Sequence, residues 1–289
     1  MPRHHRKPDP TGNFDPTRNL DPTRVGAATG GARTRRVYSQ TFLHDRSAID
    51  RVVRAVRPTP GELTIEVGAG TGQLTRVLAR ALARVDGRLL AYEVDPNLSA
   101  RLARRCADLP NVTPAPGDFL AAEPPAEPFA VVGNIPYAAT APIVRWCLHA
   151  PRLRAATLVT QLEYARKRTG DYGRWSLLTV RTWPEFDWRL AGRLPRTAFR
   201  PVPRVDGAIL RLARRPAPLV PPAAIAAYQG LVELGFSGVG GSVPASLRRG
   251  FPARRVDAAL RATRIPVDAL AGEIWPEQWL TLFRLITAR

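Results

Sequence analysis

Cysteine, lysine, methionine and histidine are all scarce in this chain of 289 residues. The 2 cysteines, Cys106 and Cys147, stand far apart and form no Cys-x-x-Cys pair. That excludes a disulfide framework and a thiolate zinc site, and it suits a reducing cytoplasm. The 4 histidines, His4, His5, His44 and His149, show no ligand spacing, so no metal is expected and each reads as an exposed or satisfied side chain. No uninterrupted apolar run reaches about 18 residues, and the N-terminus lacks the apolar core of a signal peptide. Neither export nor a membrane span is expected.

Acidic residues are outnumbered, 24 against 43 basic ones, for a formal net charge of +19. Lys7 and Lys167 are the only lysines, so nearly all the positive charge is arginine. A GC-rich genome favours arginine over lysine with no binding purpose, yet that choice does not explain the surplus of charge. The surplus fits a polyanionic partner, because each neutralised phosphate releases counterions. RNA, DNA and an anionic membrane surface all satisfy it.

An apolar content of 45% supplies a buried core, and the length suits one α/β domain with a smaller one. Residues 9 to 26 repeat Asp-Pro-Thr-x-x-x three times. These are turn formers with little to bury, so residues 1–36 read as a disordered basic arm. The arm closes on Arg33, Arg35 and Arg36, which serve either as a solvated tail or as a phosphate contact.

Beyond Asp45, Ile49, Val52, Val53 and Val56 recur at helical spacing until Pro58 ends the run. Leu63 to Val67 reads as the first strand. Gly68, Gly70 and Gly72 make the turn after it, and Leu74, Val77, Leu78, Ala81 and Leu82 form the apolar face of the next helix. Leu89 to Val94 is the second strand, Pro96 to Leu109 a helix, Val112 to Ala115 a short strand and Phe129 to Val132 a buried one. Later strands fall at Thr157 to Leu162, Phe186 to Leu190 and Ala208 to Leu212. Alternation of this kind predicts a largely parallel sheet with helices on both faces and ligands at the strand carboxyl ends. A dinucleotide-binding dehydrogenase shares the opening pattern, but its third glycine falls where Gln73 stands.

About 65 residues beyond the glycine turn, Val132-Gly-Asn-Ile-Pro-Tyr137 names a chemistry that the turn alone does not. The Asn134 amide accepts with its oxygen and donates with its NH2. Pro136 fixes its own φ and drives Ile135 into an extended conformation, which can set the Ile135 carbonyl beside the Asn134 oxygen. Two acceptors then face one exocyclic amine, drawing it towards tetrahedral geometry and freeing its lone pair. Tyr137 adds an aromatic face, and stacking a base on one contributes roughly 1–3 kcal/mol. A nucleoside cofactor at the glycine turn and a gripped base nitrogen together read as methyl transfer. The bland reading of the tetrapeptide is a strand-end turn with a packed tyrosine.

From about Tyr38 to Leu212 the chain resembles the S-adenosylmethionine-dependent rRNA adenine N6-methyltransferases, within them the Erm-type macrolide-resistance enzymes. The resemblance is carried, in order, by Ser39-Gln-Thr-Phe-Leu43, Glu66 to Gly72, Tyr92-Glu-Val-Asp95, Gly117-Asp-Phe119, Asn134 to Tyr137, and Phe199-Arg-Pro-Val-Pro-Arg-Val-Asp206. Thr41 departs from the pattern, which has asparagine there, so rearranged contacts are expected at that point. The resemblance implies a Rossmann-like class I methyltransferase domain over residues 37–214. It implies S-adenosyl-L-methionine as cofactor, with Gly68 and Gly70 around the methionine portion, Thr41 and Leu43 completing that end, and Asn134 at the same site. Glu93 would take the ribose, with Asp95 the weaker choice, Asp118 the adenine amino group, and Phe119 would lie beside that ring. Phe199 would cover the far face of the flipped adenine, the alternative being an ordinary core phenylalanine. The implied substrate is 23S rRNA in the unassembled or partly assembled large subunit, with a monomeric cytoplasmic enzyme and macrolide resistance as the outcome. Small-subunit rRNA dimethylation and a non-catalytic RNA-binding factor on the same fold are the alternatives.

Displacement at a sulfonium methyl asks for alignment rather than acid–base groups. The attacking nitrogen becomes cationic, Asn134 and the Ile135 carbonyl can stabilise it, and its proton can leave to water. Arg166, Lys167 and Arg168, with Tyr172 and Trp175 nearby, can form an RNA-binding rim or a solvated loop. Residues 215–289 read as a small helical RNA-binding domain with helices near Ile225 to Leu234, Val256 to Leu260 and Trp279 to Leu285. There Arg248, Arg249, Arg254 and Arg255 can meet phosphate, and the stretch 235–242 is richer in glycine than a small helical domain requires.

Overall fold

The computed structural model describes residues 41–288. The repeat arm, the cluster Arg33, Arg35 and Arg36, and Ser39 with Gln40 of the first motif lie outside those residues. A short strand β1, Phe42–Leu43, precedes helix α1, Arg46–Val56, whose N-terminus is capped by the Asp45 carboxylate accepting from the Ala48 N–H at 2.7 Å. Helix α1 buries Ala48, Ile49, Val52 and Val56 and stops at Arg57, ahead of Pro58.

Alternating units follow: β2 (Leu63–Val67), α2 (Gln73–Ala83), β3 (Arg88–Glu93), α3 (Pro96–Arg105), β4 (Val112–Pro116), β5 (Phe129–Asn134), α4 (Thr140–His149) and β6 (Leu153–Gln161). Helix α5, Leu162–Thr169, starts directly at the end of β6 and is followed by α6, Leu177–Thr182. The remaining strands are β7 (Phe186–Leu194), β8 (Phe199–Arg200) and β9 (Gly207–Arg214). The main sheet runs β4-β3-β2-β5-β6-β9-β7, and β1 pairs with β8 in a separate antiparallel ribbon.

From β4 to β6 every neighbour is parallel, whereas β9 lies antiparallel between β6 and β7. The sequence pattern predicts parallel pairing more broadly. Only Pro195 to Asp206 joins β7 to β9, and that segment holds no crossover helix, so an antiparallel return is the geometry open to it. Helix α3 also stops short of the expected Leu109, at Arg105, and the strand expected from Thr157 begins at Leu153.

The central strands alternate sides residue by residue. Val131 of β5 packs on one face with Ile143, Val144 and Cys147 of α4, and Val132 packs on the other with α1 and α2. The C-terminal helices are α7 (Ile225–Phe236), α8 (Val243–Leu247), α9 (Ala253–Thr263) and α10 (Pro276–Thr287). Their core residues Tyr228, Leu231, Trp279 and Phe283 belong to the same hydrophobic cluster as Val131 and Leu210 of the sheet. Tyr228 anchors α7, its buried hydroxyl donating to the Val180 carbonyl of α6 at 2.9 Å. Within the stretch 235–242, Gly235 lies in the last turn of α7, where the Trp279 ring stands in the place of a side chain, a Cβ there lying 2.3 Å from its Cη2.

Candidate active site

The carboxyl ends of β4, β3, β2 and β5 lie side by side, and each delivers one piece of the site. Strand β2 leads into the glycine turn, β3 ends on Glu93, β4 leads to Asp118 and β5 ends on Asn134. Three contiguous cavities share Gly68. One runs past Tyr92, Glu93, Asp118, Phe119 and Pro136. The other two reach Thr41, Phe42, Leu43, Glu66, Gly70 and Asn134.

Glu93 is 2% exposed, and both of its carboxylate oxygens are already held. One accepts the Gly70 N–H at 2.7 Å and the other the Asp95 N–H at 2.9 Å. Each oxygen keeps a further lone pair, so the group can shape the glycine turn and still receive hydroxyls. Asp95 has another task, since its carboxylate caps α3 by accepting from the Asn97 and Leu98 N–H groups. In Asp118, Oδ1 caps a short turn by accepting from the Leu120 N–H at 2.9 Å, and the residue lines the cavity beside Glu93. Phe119 lines it too, its ring wedged between Trp146 at 4.3 Å and Tyr92 at 5.8 Å.

At the tip of β5, the Asn134 NH2 donates to the Thr41 carbonyl at 2.6 Å. That bond fixes the flip of the amide and leaves Oδ1 as the free acceptor. It also answers the departure at Thr41, because the contact is made by main chain and not by the side chain that differs. Gly133 lets β5 come this close to β2: a Cβ there would lie 2.6 Å from the Val67 carbonyl. Ile135 is buried, and no N–H among the described residues donates to its carbonyl. Tyr137 is half-buried with its hydroxyl enclosed and unpartnered among the described residues. Burial and then the Asp206 charge push that phenol above its ordinary pKa.

Phe199 is not in the cavity wall. The ring is fully buried among Leu43, Ala198 and Ile209, its strand paired with β1 so that Leu43 faces Phe199. It occupies the space left by Gly207, where a Cβ would lie 2.8 Å from its Cζ. The ordinary core phenylalanine is the reading that fits this arrangement.

Two residues of the site carry no role in the sequence reading. Phe42 lies between Thr41 and Leu43, lines the two smaller cavities and sets its ring edge against Gly70. Glu66 opens the glycine motif and is 1% exposed, with Oε2 enclosed and unpartnered among the described residues. Burial, opposed by the Thr75 hydroxyl and helped by Glu93, pushes its carboxyl up to about 7. The signal was an acid inside an otherwise apolar strand.

The expected RNA-contacting residues separate into two groups. Arg166, Lys167 and Arg168 lie on helix α5 and not in a loop. Arg166 pairs with Asp171 and lies 4.1 Å over the Tyr172 ring, while Arg168 donates to the Ser176 hydroxyl at 2.8 Å and stacks over Tyr164. Lys167 and Tyr172 are exposed. Trp175, expected at an RNA rim, is instead buried between Trp183 and Trp275. Farther along, Arg248 pairs with Asp257 at 2.7 Å and Arg255 donates to the carbonyls at the end of α10. Arg249 and Arg254 are exposed. Among the described residues no helix is long and apolar enough to cross a membrane.

The family model for ribosomal RNA adenine dimethylase matches residues 31–288. This chain belongs to that family. It is therefore an rRNA adenine N6-methyltransferase on the class I methyltransferase fold, in agreement with the motif series. The rRNA adenine N-6-methyltransferase of Streptomyces fradiae is 57% identical over 256 residues, covering 88% of this chain and 79% of that protein. The mycinamicin-resistance protein MyrB of Micromonospora griseorubida is 38% identical over 246 residues, covering 85% and 77%. The crystal structure of the 23S rRNA methyltransferase ErmE matches with a TM-score of 0.81 at 49% identity, over 85% of this chain and 99% of that one.

Proposed function

We propose that this chain transfers methyl groups from S-adenosyl-L-methionine to N6 of one adenine in 23S rRNA, and that the product ribosomes resist macrolide-type antibiotics. The observation that carries this reading is the Asn134 amide, turned by the Thr41 carbonyl so that its oxygen is left free to accept beside the glycine turn. The donor set suits the cofactor. Glu93 and Asp118 sit one strand apart with acceptor capacity left, and the buried Glu66 oxygen at the other end lacks a partner among the described residues. Glu93 would take the ribose, Asp118 with Phe119 the adenine, and Gly68, Gly70, Thr41 and Leu43 the methionine portion. When bound, the cofactor supplies an electrophilic methyl.

The chain's own contribution is alignment. Asn134 Oδ1 and the Ile135 carbonyl accept from the target amine, drawing its lone pair out of the ring plane. Pro136 holds those two acceptors in register, and Tyr137 stacks a base drawn out of its helix. As the nitrogen becomes cationic the same two oxygens stabilise it, and its proton passes to water. Residues 37–214 would perform these steps, with residues 215–289 as one wall of the RNA cleft and Lys167, Arg166, Arg168, Arg248 and Arg249 at its rim. The enzyme is assigned as a monomer acting in the cytoplasm on unassembled or partly assembled large subunits. Methyl-label transfer to separated 16S and 23S rRNA, followed by nucleoside analysis, tests the reading. Label confined to 23S rRNA as N6-methylated adenosine is the expected result; label in 16S rRNA alone overturns it.

A further inference from the structure

Arg211 lies in the middle of β9, opposite Arg189 of the edge strand β7 and Thr157 of β6. Side chains alternate along a strand, so Arg211 shares a face with Ile209, which is buried with Val52 and Val56 of α1 and with Leu194. Residues directly opposite share a face as well, and like charges so placed are destabilising. Two guanidinium groups therefore stand side by side next to α1. The carboxylates nearby are engaged: Asp187 pairs with Arg189 at 2.5 Å, and Glu62 pairs with Arg154, which also donates to the Arg57 carbonyl at 3.2 Å. Arg211 is half-buried, and its Nε is enclosed with no partner among the described residues. Arg51 of α1 reaches the same edge, where its Nη1 donates to the Arg193 carbonyl of β7 at 3.0 Å, and its Nε is also enclosed and unpartnered among the described residues. Burial and then the Arg57 and Arg154 charges, against Asp187, push the Arg211 guanidinium below its ordinary pKa. A sunken cation without an acceptor is costly, and what would relieve this one is an anion.

We propose that Arg211, flanked by Arg189 and Arg51, binds a backbone phosphate of the rRNA on the face of β7 and β9 beside α1, outside the methylation cleft. This rests on rRNA as the substrate class and not on which rRNA or which adenine is modified. A guanidinium presents its donors in a planar fork that matches phosphate oxygens. A phosphodiester there supplies the acceptor that the enclosed Nε lacks and offsets the repulsion between Arg189 and Arg211. Strand β9 begins at Gly207, opposite Gln161 at the carboxyl end of β6, so Arg211 lies about 13 Å along the strand from the edge of the sheet that carries the site. RNA leaving the cleft over β7 passes this point. The contact fixes the register of the RNA and reads no sequence.

The test uses the full chain and measures binding to 23S and 16S rRNA transcripts over a salt series for R211Q, R189Q and R104Q. Arg104 is exposed on α3, beside β4 at the opposite edge of the sheet from β7, and reports the effect of net charge alone. R211Q is expected to reduce the salt slope by about one on both transcripts, so that a fourfold rise in salt costs it about fourfold less affinity than it costs the wild type. R189Q should shift the slope the same way by less, since Asp187 shares its charge, and R104Q should keep the wild-type slope. A wild-type slope in R211Q overturns the proposal, as does an equal reduction in R104Q. Should R211Q fail to fold, R189Q decides: a slope below that of R104Q supports the site and an equal slope overturns it. Inorganic phosphate separates the two sources of the anion. A melting temperature that phosphate raises in the wild type and not in R211Q, with RNA slopes unchanged, assigns the site to free phosphate and overturns rRNA as its occupant. Both transcripts carry the same backbone, so methyl transfer confined to 16S rRNA would refute the assigned substrate and leave this site standing.

Discussion

The side-chain NH2 of Asn134 is bonded to the main-chain carbonyl of Thr41, two residues 93 positions apart in sequence and 2.6 Å apart in space. Orientation of the Asn134 amide is therefore set by the backbone just ahead of the N-terminal entry strand.

That geometry separates three substitutions. Asn134→Ala removes the acceptor and should lower the methylation rate by about a hundredfold or more, as loss of one transition-state donor or acceptor does. Asn134→Asp keeps the shape but offers the Thr41 carbonyl no donor, so it should fail comparably. Thr41→Ala keeps the carbonyl and should cost less than about threefold, well under one hydrogen bond. Single-turnover rates on a 23S transcript, with cofactor binding by calorimetry alongside, check all three.

Glu66 predicts a pH dependence of stability. Its folded carboxyl is raised from 4.5 to about 7 by burial, so the stability tied to its neutral form is complete below about pH 4.5 and lost as pH rises through about 7. The span corresponds to a penalty of order 3 kcal/mol at high pH. Glu66→Gln should flatten this slope, and the melting temperature of the variant should gain on the wild type between about pH 5 and 8. Parallel curves for the two proteins over that range would remove the titration from Glu66.

Gly133→Ala puts a Cβ 2.6 Å from the Val67 carbonyl. Backbone cannot swing aside as a side chain can, so β5 must shift against β2, at a cost of about 1–3 kcal/mol. Since Asn134 is the next residue, activity should fall further than the drop in melting temperature explains. Denaturant unfolding and turnover of the same preparation test this.

Lys167 and Arg168 are neighbours on α5 with different duties. Lys167→Ala should weaken RNA binding evenly across sequences and reduce the salt slope by about one. Arg168→Ala removes a bond to Ser176 and a stack on Tyr164, so it should act on stability, by about 1 kcal/mol. Binding measured over a salt series, paired with thermal melts, distinguishes the two.

The strands that carry the site are legible from local pattern: Phe129 to Val132 is an unbroken apolar run, and Leu63 to Val67 is a short apolar stretch interrupted only by Thr64 and Glu66. Glycine, acid and amide at their ends follow from the same reading. What escaped depends on chain that arrives from far away. Trp175 reads as an exposed aromatic beside arginines until Trp183 and Trp275 close over it. Phe199 reads as a lid until Gly207 and the β1 pairing make room for it in the core. The reversal of β9 follows from the lack of a crossover helix between Leu194 and Gly207, where only the short 3-10 turn Arg196–Ala198 stands, a negative signal that propensity does not register. Phe42 and Glu66 lie within the motif series, but neither is a hydrogen-bonding group on an exposed loop, so the pattern assigns them no role.

Glu93 grips the N–H of Gly70 with one oxygen and that of Asp95 with the other. A scan that trims this residue therefore dismantles the scaffold along with any ligand contact, and lost affinity in such a variant cannot be credited to the sugar alone. Replacement by glutamine sets an amide NH2 against a main-chain donor at one of the two positions, so even the mildest swap disturbs architecture first.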